Sequence, residues 1–157
     1  FIENPAYNEA NNISSAMCVR YLLNNAYVCE GDILLHNPKI IQKYQYKSNY
    51  CGIKCDRTDD WCLFENKGRI TGYAVGGENC HQMMGISYWT EEDGKKLGDC
   101  IKKVYEMPGG KERYWDQVAL GYYVEDFDIA IRECSFDDFI EIDTFNELKA
   151  IDKIYDV

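Results

Sequence analysis

Apolar side chains recur along this chain with two different periods, and the switches between them mark out its elements. Ile13, Ala16, Met17 and Tyr21 follow helical spacing up to Leu22 and Leu23. This predicts an amphipathic helix with Asn12 or Ser14 as its cap and Asn24-Asn25 as its end. The run AYVCEGDILL is apolar but for Glu30-Gly31-Asp32, the pattern of a buried strand that delivers an acidic residue at its carboxyl end. Pro38 then opens a short helix, PKIIQKY. From Tyr50 to Val75 the pattern is that of strands, with WCLFE and RITGYAV joined by the turn signal Asn66-Lys67-Gly68. MMGISYW predicts a further strand, and Thr90-Glu91-Glu92-Asp93 resembles a capping box that opens a long amphipathic helix running through Ile101 and Tyr105 to the stop at Pro108-Gly109-Gly110. RYWDQVALGYYVED predicts a shorter helix, FDIAIREC and FIEID two strands, and Thr144 with Glu147 the cap of a terminal helix FNELKAIDKIY.

Strands alternating with helices on this scale imply a layered α/β fold with a mixed, mainly parallel sheet flanked by helices. Ligands of such sheets sit outside the carboxyl ends of the strands. Two carboxylates take that kind of position, Asp32 after AYVCEG and Asp143 after FIEI.

Composition narrows the classes. The 157 residues are 46% hydrophobic, without repeats or low-complexity tracts, which fits one domain spanning residues 1–157. Lys and Arg number 17 against 27 Asp and Glu, a net charge of −10. A surface of that sign argues against nucleic-acid binding, which needs cations to neutralise phosphates, and is compatible with holding divalent cations. No apolar run approaches the roughly 18 residues of a bilayer span, and FIENPAYNEANN lacks the pattern of a signal peptide. The chain therefore reads as cytoplasmic, without membrane insertion. It begins at Phe1, which suggests a segment of a longer protein. The eight cysteines, several inside apolar patterns, read as reduced core residues. The alternative is a zinc site drawn from Cys51, Cys55, Cys62 and Cys80-His81, although the pairs lack the tight spacing of a zinc knuckle.

An Asp after a strand is most often a turn former. Two together, Asp32 and Asp143, can clamp Mg²⁺, the ion that phosphoryl and nucleotidyl transfer uses to offset charge on phosphate oxygens. Taken as a whole, NPAYNEANNISSAMCVRYLLNNAYVCEGDILL resembles the middle of the nucleotidyltransferase family that includes bacterial phosphocholine cytidylyltransferases and sugar-1-phosphate nucleotidyltransferases. MMGISYWTEEDGKKL, RYWDQVAL and FIEIDTFNEL look like downstream blocks of the phosphocholine branch, in order and with similar spacing. The resemblance implies a Rossmann-like nucleotidyltransferase fold, an active site lined by Asn11-Asn12 and Ser14 or Ser15, and metal-binding Asp32 and Asp143. Family members also carry an N-terminal Gly-rich loop with Arg and Lys that cradles the triphosphate; Gly76-Gly77 and Gly109-Gly110 lack that signature. The chain accordingly reads as the C-terminal part of a nucleotidyltransferase catalytic domain, incomplete at its N-terminus and a poor catalyst alone.

The resemblance sets Trp61, Tyr114 and Trp115, with Asp116 beside them, around the acceptor. A trimethylammonium group has no N–H donor and is recognised by aromatic faces and a nearby carboxylate. The expected reaction is therefore Mg²⁺-dependent transfer of CMP from CTP to phosphocholine, giving CDP-choline and pyrophosphate. His36 and His81 are not needed as bases, because the attacking phosphate is already ionised. A sugar 1-phosphate or an aminoalkyl phosphonate is the alternative acceptor; a primary amine would call on more carboxylates, from Glu112, Asp116 or Glu141. The rival of another class is a non-catalytic module that binds a cationic ligand.

Overall fold

Lys67 and Gly68 both adopt positive φ, 53° and 78°, the backbone that a two-residue hairpin turn of matching twist requires. They join two long strands, β3 (Asn49–Asn66) and β4 (Arg69–Trp89). The computed structural model describes residues 1–155; the last two positions of the expected 1–157 domain lie outside them. The stretches expected as separate strands, RITGYAV and MMGISYW, are thus one bent strand. The bend falls at Gly76 (φ 75°) and Asn79 (φ 50°), opposite a register shift between Thr58 and Trp61 in β3. Bulged hairpins twist sharply, and here the twist folds the ribbon back on itself. Cys62 and Leu63 pair with Ala74 and Tyr73 on one side and with Gln82 and His81 on the other.

The remaining strands add to this hairpin. In the sheet order β1-β4-β3-β5, β1 (Ala26–Cys29) pairs antiparallel with β4, and β5 (Ala130–Glu133) pairs parallel with β3. A separate antiparallel ribbon joins β2 (Ile33–Leu35) to β6 (Phe139–Glu141). The sheet is mixed, as the pattern predicted, but the expectation of mainly parallel pairing is corrected among the described residues: only the β3–β5 ladder is parallel. Tight turns join antiparallel strands, and a parallel partner requires a crossover, which β5 alone makes with β3. The run AYVCEGDILL also divides. Its Glu30-Gly31-Asp32 centre is a turn between β1 in the large sheet and β2 in the small one.

The first helix, α1 (Ile13–Val19), continues as a 3₁₀ turn over Arg20–Leu22. Neither expected residue caps it through its side chain: Asn12 makes no cap bond, and Ser14 Oγ donates to Asn11 O (2.8 Å). In α2 (Glu91–Glu106), Thr90 Oγ1 accepts from the Asp93 amide, and three acids occupy the first turn, complementing the helix dipole. Its Gly94 and Gly98 abut the end of the first helix: a Cβ there would lie 2.2 Å from Leu23 O and 2.5 Å from Arg20 O, respectively. The helix expected over RYWDQVALGYYVED relaxes into a π turn at Val118–Tyr122 and a 3₁₀ turn at Val124–Asp126. The predicted capping box of Thr144 and Glu147 does open α3 (Phe145–Ile151).

Two cores follow from strand alternation. Tyr50, Leu63 and Trp89 pack with Leu97, Ile101, Val104, Val118 and Phe127 on one face of the sheet. Cys51, Ile53, Met84 and Ile86 pack with Ile40 and Phe139 on the other. Among the described residues no helix is long and apolar enough to cross a membrane. All eight cysteines are free thiols.

Candidate functional site

Hydrogen bonding along one edge of β4 stops and starts again. The strand β1 ends there at Cys29 opposite Ile86, and the returning part of β3 begins at Cys62 opposite Gln82. Met83 and Gly85, which alternation puts on one face of that gap, floor a cavity of about 380 Å³. Asn12, Glu30, Asp32, Asp60, Trp61, Tyr114, Asp116 and Glu141 supply its walls. Glycine at 85 leaves room for the Glu30 carboxylate, since a Cβ there would fall 2.2 Å from Glu30 Oε2. The Glu30 amide donates to Gly85 O (2.9 Å), fixing the acidic turn over the floor.

The β2–β6 ribbon brings in the second set of acids. Ile33 faces Glu141, and the Ile142 amide donates to Asp32 O (2.9 Å). Carboxylate oxygens of Glu30, Asp32 and Glu141 consequently lie within 4.8 Å of one another. Burial, then the negative charges of Asp116, Asp32 and Asp143, lifts Glu30 to about 7. Burial, then Asp143, Asp32, Glu30 and Asp60, lifts Glu141 to about 7. Crowded oxygen donors that resist ionising together suit a hard divalent cation such as Mg²⁺. Of the expected pair, Asp32 belongs to this trio, and Asp143 stands beside it, close enough for its charge to raise both Glu30 and Glu141. Asp143 is exposed and contributes to the field, while its backbone amide donates to Glu147 Oε2 (2.9 Å) as part of the α3 cap. Glu30 was not singled out from the sequence, although it sits in the same Glu-Gly-Asp turn as Asp32.

The aromatic residues separate into two groups. Trp61 stacks on Tyr73 (5.4 Å) and meets Tyr114 edge-on (5.3 Å), so this pair does line the cavity. Gln117 braces it, donating through Nε2 to Tyr73 Oη (2.9 Å) and accepting the Tyr114 amide at Oε1 (3.0 Å). Trp115 is not among the residues lining this cavity: it is 6% exposed, stacks on Tyr50, stands edge-on to Trp89 and borders the adjoining cavity. Asp116 does line the cavity, although it is 5% exposed. Burial raises its carboxyl to about 6, against the lowering effect of a hydrogen bond from Tyr50 Oη (2.8 Å).

Asn12 reaches the cavity, but its Oδ1 is already engaged by the Trp115 amide (2.9 Å). Asn11 belongs to the same seam, donating through its amide to Lys111 O (2.7 Å) and through Nδ2 to Glu112 O (3.3 Å). Ser14 is buried and Ser15 exposed, and both accept from Asn4 Nδ2. Ser14 lies off the cavity, and Ser15 borders a neighbouring one of about 590 Å³ that touches the first at Asn12, Glu30 and Gly31. The zinc alternative finds no such gathering: Cys55 and Cys80 approach to 3.8 Å across the hairpin, but the metal-competent group among the described residues is the acidic trio. Among the residues lining the cavity none is basic.

No family model matches the chain. It is 30% identical over 158 residues to the 2-aminoethylphosphonate cytidylyltransferase of Lancefieldella rimae, covering 98% of this chain. It is 24% identical over 149 residues to the choline-phosphate cytidylyltransferase of Haemophilus influenzae, covering 93%. The chain spans 64% of the length of each of these curated relatives. Its fold superimposes on CTP:phosphocholine cytidylyltransferase from Streptococcus pneumoniae with a TM-score of 0.82 at 23% identity, over 96% of this chain and 66% of that one. A protein named as a glucose-1-phosphate thymidylyltransferase from Bacillus anthracis matches with a TM-score of 0.63 at 13% identity, over 94% and 62% of the two chains.

Proposed function

We propose, from the premise that this chain belongs to the nucleotidyltransferase family, that the full-length protein transfers CMP from CTP to a phosphorylated acceptor with a cationic head, phosphocholine being the first candidate. The observation that carries this reading is the cavity itself, in which three clustered carboxylates stand beside the Trp61–Tyr114 pair and Asp116 with no basic side chain. Such a lining repels a bare phosphate and attracts a cation at either end of the site. An acceptor phosphate oxygen attacks the α-phosphorus of CTP and pyrophosphate leaves. The oxygen is already ionised at neutral pH, so the reaction needs positioning and charge compensation more than a base.

Each group has a part in that. Glu30, Asp32 and Glu141 are the residues that would hold Mg²⁺. When bound, the ion offsets negative charge on phosphate oxygens during the displacement. Trp61 and Tyr114 offer aromatic surface to the acceptor's head, and Asp116 offers charge. Asn12 ties the loop that carries Tyr114 and Asp116 to α1. Use of CTP and eight free thiols both suit a cytoplasmic setting.

A second reading, an aminoalkyl phosphonate as acceptor, is favoured by the place of Trp115. With Trp115 turned to the core and the adjoining cavity, the head is met by two aromatic residues and, beyond the clustered trio, by Asp60 and Asp116. A primary ammonium makes better use of carboxylates because it has three N–H donors. The test is to assay the full-length protein with Mg²⁺ and each of the four ribonucleoside triphosphates, against phosphocholine, 2-aminoethylphosphonate and glucose 1-phosphate, following pyrophosphate release. Turnover with CTP and a cationic acceptor is expected. Preference for glucose 1-phosphate, or acceptor binding without pyrophosphate release under any combination, overturns the proposal.

A further inference from the structure

Tyr50 takes no part in the lining of the cavity, yet its hydroxyl reaches the one carboxylate there that is almost fully enclosed. The residue is completely buried in β3, and Oη donates to Asp116 Oδ1 at 2.8 Å. The same ring stacks on Trp115 (6.4 Å between centroids), whose amide is held by Asn12. The chain on the N-terminal side of Asp116 is therefore fixed through its backbone while the carboxylate is fixed through Tyr50. Glu30, Asp32, Asp60 and Glu141 share the cavity with Asp116, and no cationic side chain does. A buried carboxylate with no counter-charge is costly unless something positive arrives.

We propose that Tyr50 is a positioning residue for acceptor recognition, aiming the Asp116 carboxylate so that its charge meets the acceptor's cationic head. This rests on the reading above that the head is cationic. Tyr50 acts through Asp116 and touches neither substrate. Losing a hydrogen bond to a charged group, with the ring and its packing retained, corresponds to a loss of roughly 10-fold or more in affinity for the partner of that charge.

The experiment compares, in the full-length protein, whichever cationic acceptor is used with its uncharged carbon isostere. These are 3,3-dimethylbutyl phosphate for phosphocholine and propylphosphonate for 2-aminoethylphosphonate. The wild type should favour the cation by at least about 10-fold in kcat/KM, through KM rather than kcat. Tyr50→Phe should lose most of that preference while KM for CTP stays within about 2-fold, and Asp116→Asn should reproduce the loss, as expected for two members of one hydrogen-bonded unit. A role for Tyr50 in packing alone would weaken cation and isostere equally, and unchanged discrimination in either variant overturns the proposal. If the wild type does not discriminate at all, the cationic-acceptor reading fails together with it. Should Tyr50→Phe not fold, Asp116→Asn decides alone: loss of discrimination supports the proposal and retention overturns it.

Discussion

Glu30, Glu141 and Asp116 are carboxyl groups raised to about 7, about 7 and about 6, in each case first by burial. Their ordinary values are 4.5 for Glu and 3.8 for Asp, so the unfolded chain gives up these protons first. The stability these groups contribute is complete below about pH 4 and is lost as pH rises through 6 to 7. A divalent cation competes with the same protons. Added Mg²⁺ should therefore raise the Tm of the full-length protein more at pH 8 than at pH 5.5; an increment that is equal at the two pH values, or absent, would remove the trio from cation binding. The geometry also ranks the acids. Asp32→Asn and Glu141→Gln should each lower kcat/KM by about 100-fold or more, as loss of a metal-positioning group does, and Asp143→Asn, outside the trio, by no more than about 10-fold. Steady-state kinetics at saturating Mg²⁺ separates the three. Chain spacing pointed to Asp32, and the strand period of two sets Glu141 and Asp143 on one face without telling which reaches inward. That choice was made by the Ile33–Glu141 register with a strand more than a hundred positions away, which no local pattern carries.

At the scale of elements, glycines decide two close approaches. Gly98 in α2 meets Arg20 O, and a Cβ there would sit 2.5 Å away. Alanine inside a helix normally stabilises it by about 1 kcal/mol over glycine. Here Gly98→Ala should instead destabilise by about 1–3 kcal/mol, because helix and turn must separate; denaturant unfolding gives the sign. Gly85→Ala should spare the fold, since the atoms in its way belong to the mobile end of Glu30, and should weaken Mg²⁺ activation by about 10- to 100-fold. Equal Mg²⁺ dependence in wild type and Gly85→Ala would show that Glu30 does not need that space. Elements defined by neighbouring residues were legible in the sequence: the Lys67-Gly68 turn, the Thr90 cap and the Thr144–Glu147 box all form. Those defined by distant pairing were not. AYVCEGDILL reads as one apolar strand until its two halves find different sheets, and Trp115 reads like Trp61 until Tyr50 and Trp89 close over it.

For the whole molecule, free and mostly enclosed thiols are a measurable signature. Cys29 is exposed, whereas Cys51, Cys62, Cys80 and Cys100 are buried. A thiol reagent should modify Cys29 first in the native protein and reach all eight positions of this segment only on denaturation; protected pairs recovered without reductant would contradict free thiols. The α/β class and the order of motifs were visible at this scale, because helix and strand periods survive averaging. The weight of antiparallel pairing was not, since it follows from one hairpin long enough to curl against itself. That curl has a consequence for how such a site diversifies. Trp61 reaches the cavity on the stretch of β3 whose ladder begins at Cys62 and Gln82, while Glu30 is anchored separately at Gly85. A one-residue slip of that ladder would turn Trp61 to the opposite face. A two-residue slip would keep its facing and carry it about 6.6 Å along the floor. Insertions or deletions taken in pairs on either side of the bend would then lengthen or shorten the binding slot like the jaw of a caliper, leaving the acids and both cores in place while descendants of one scaffold come to measure acceptors of different reach.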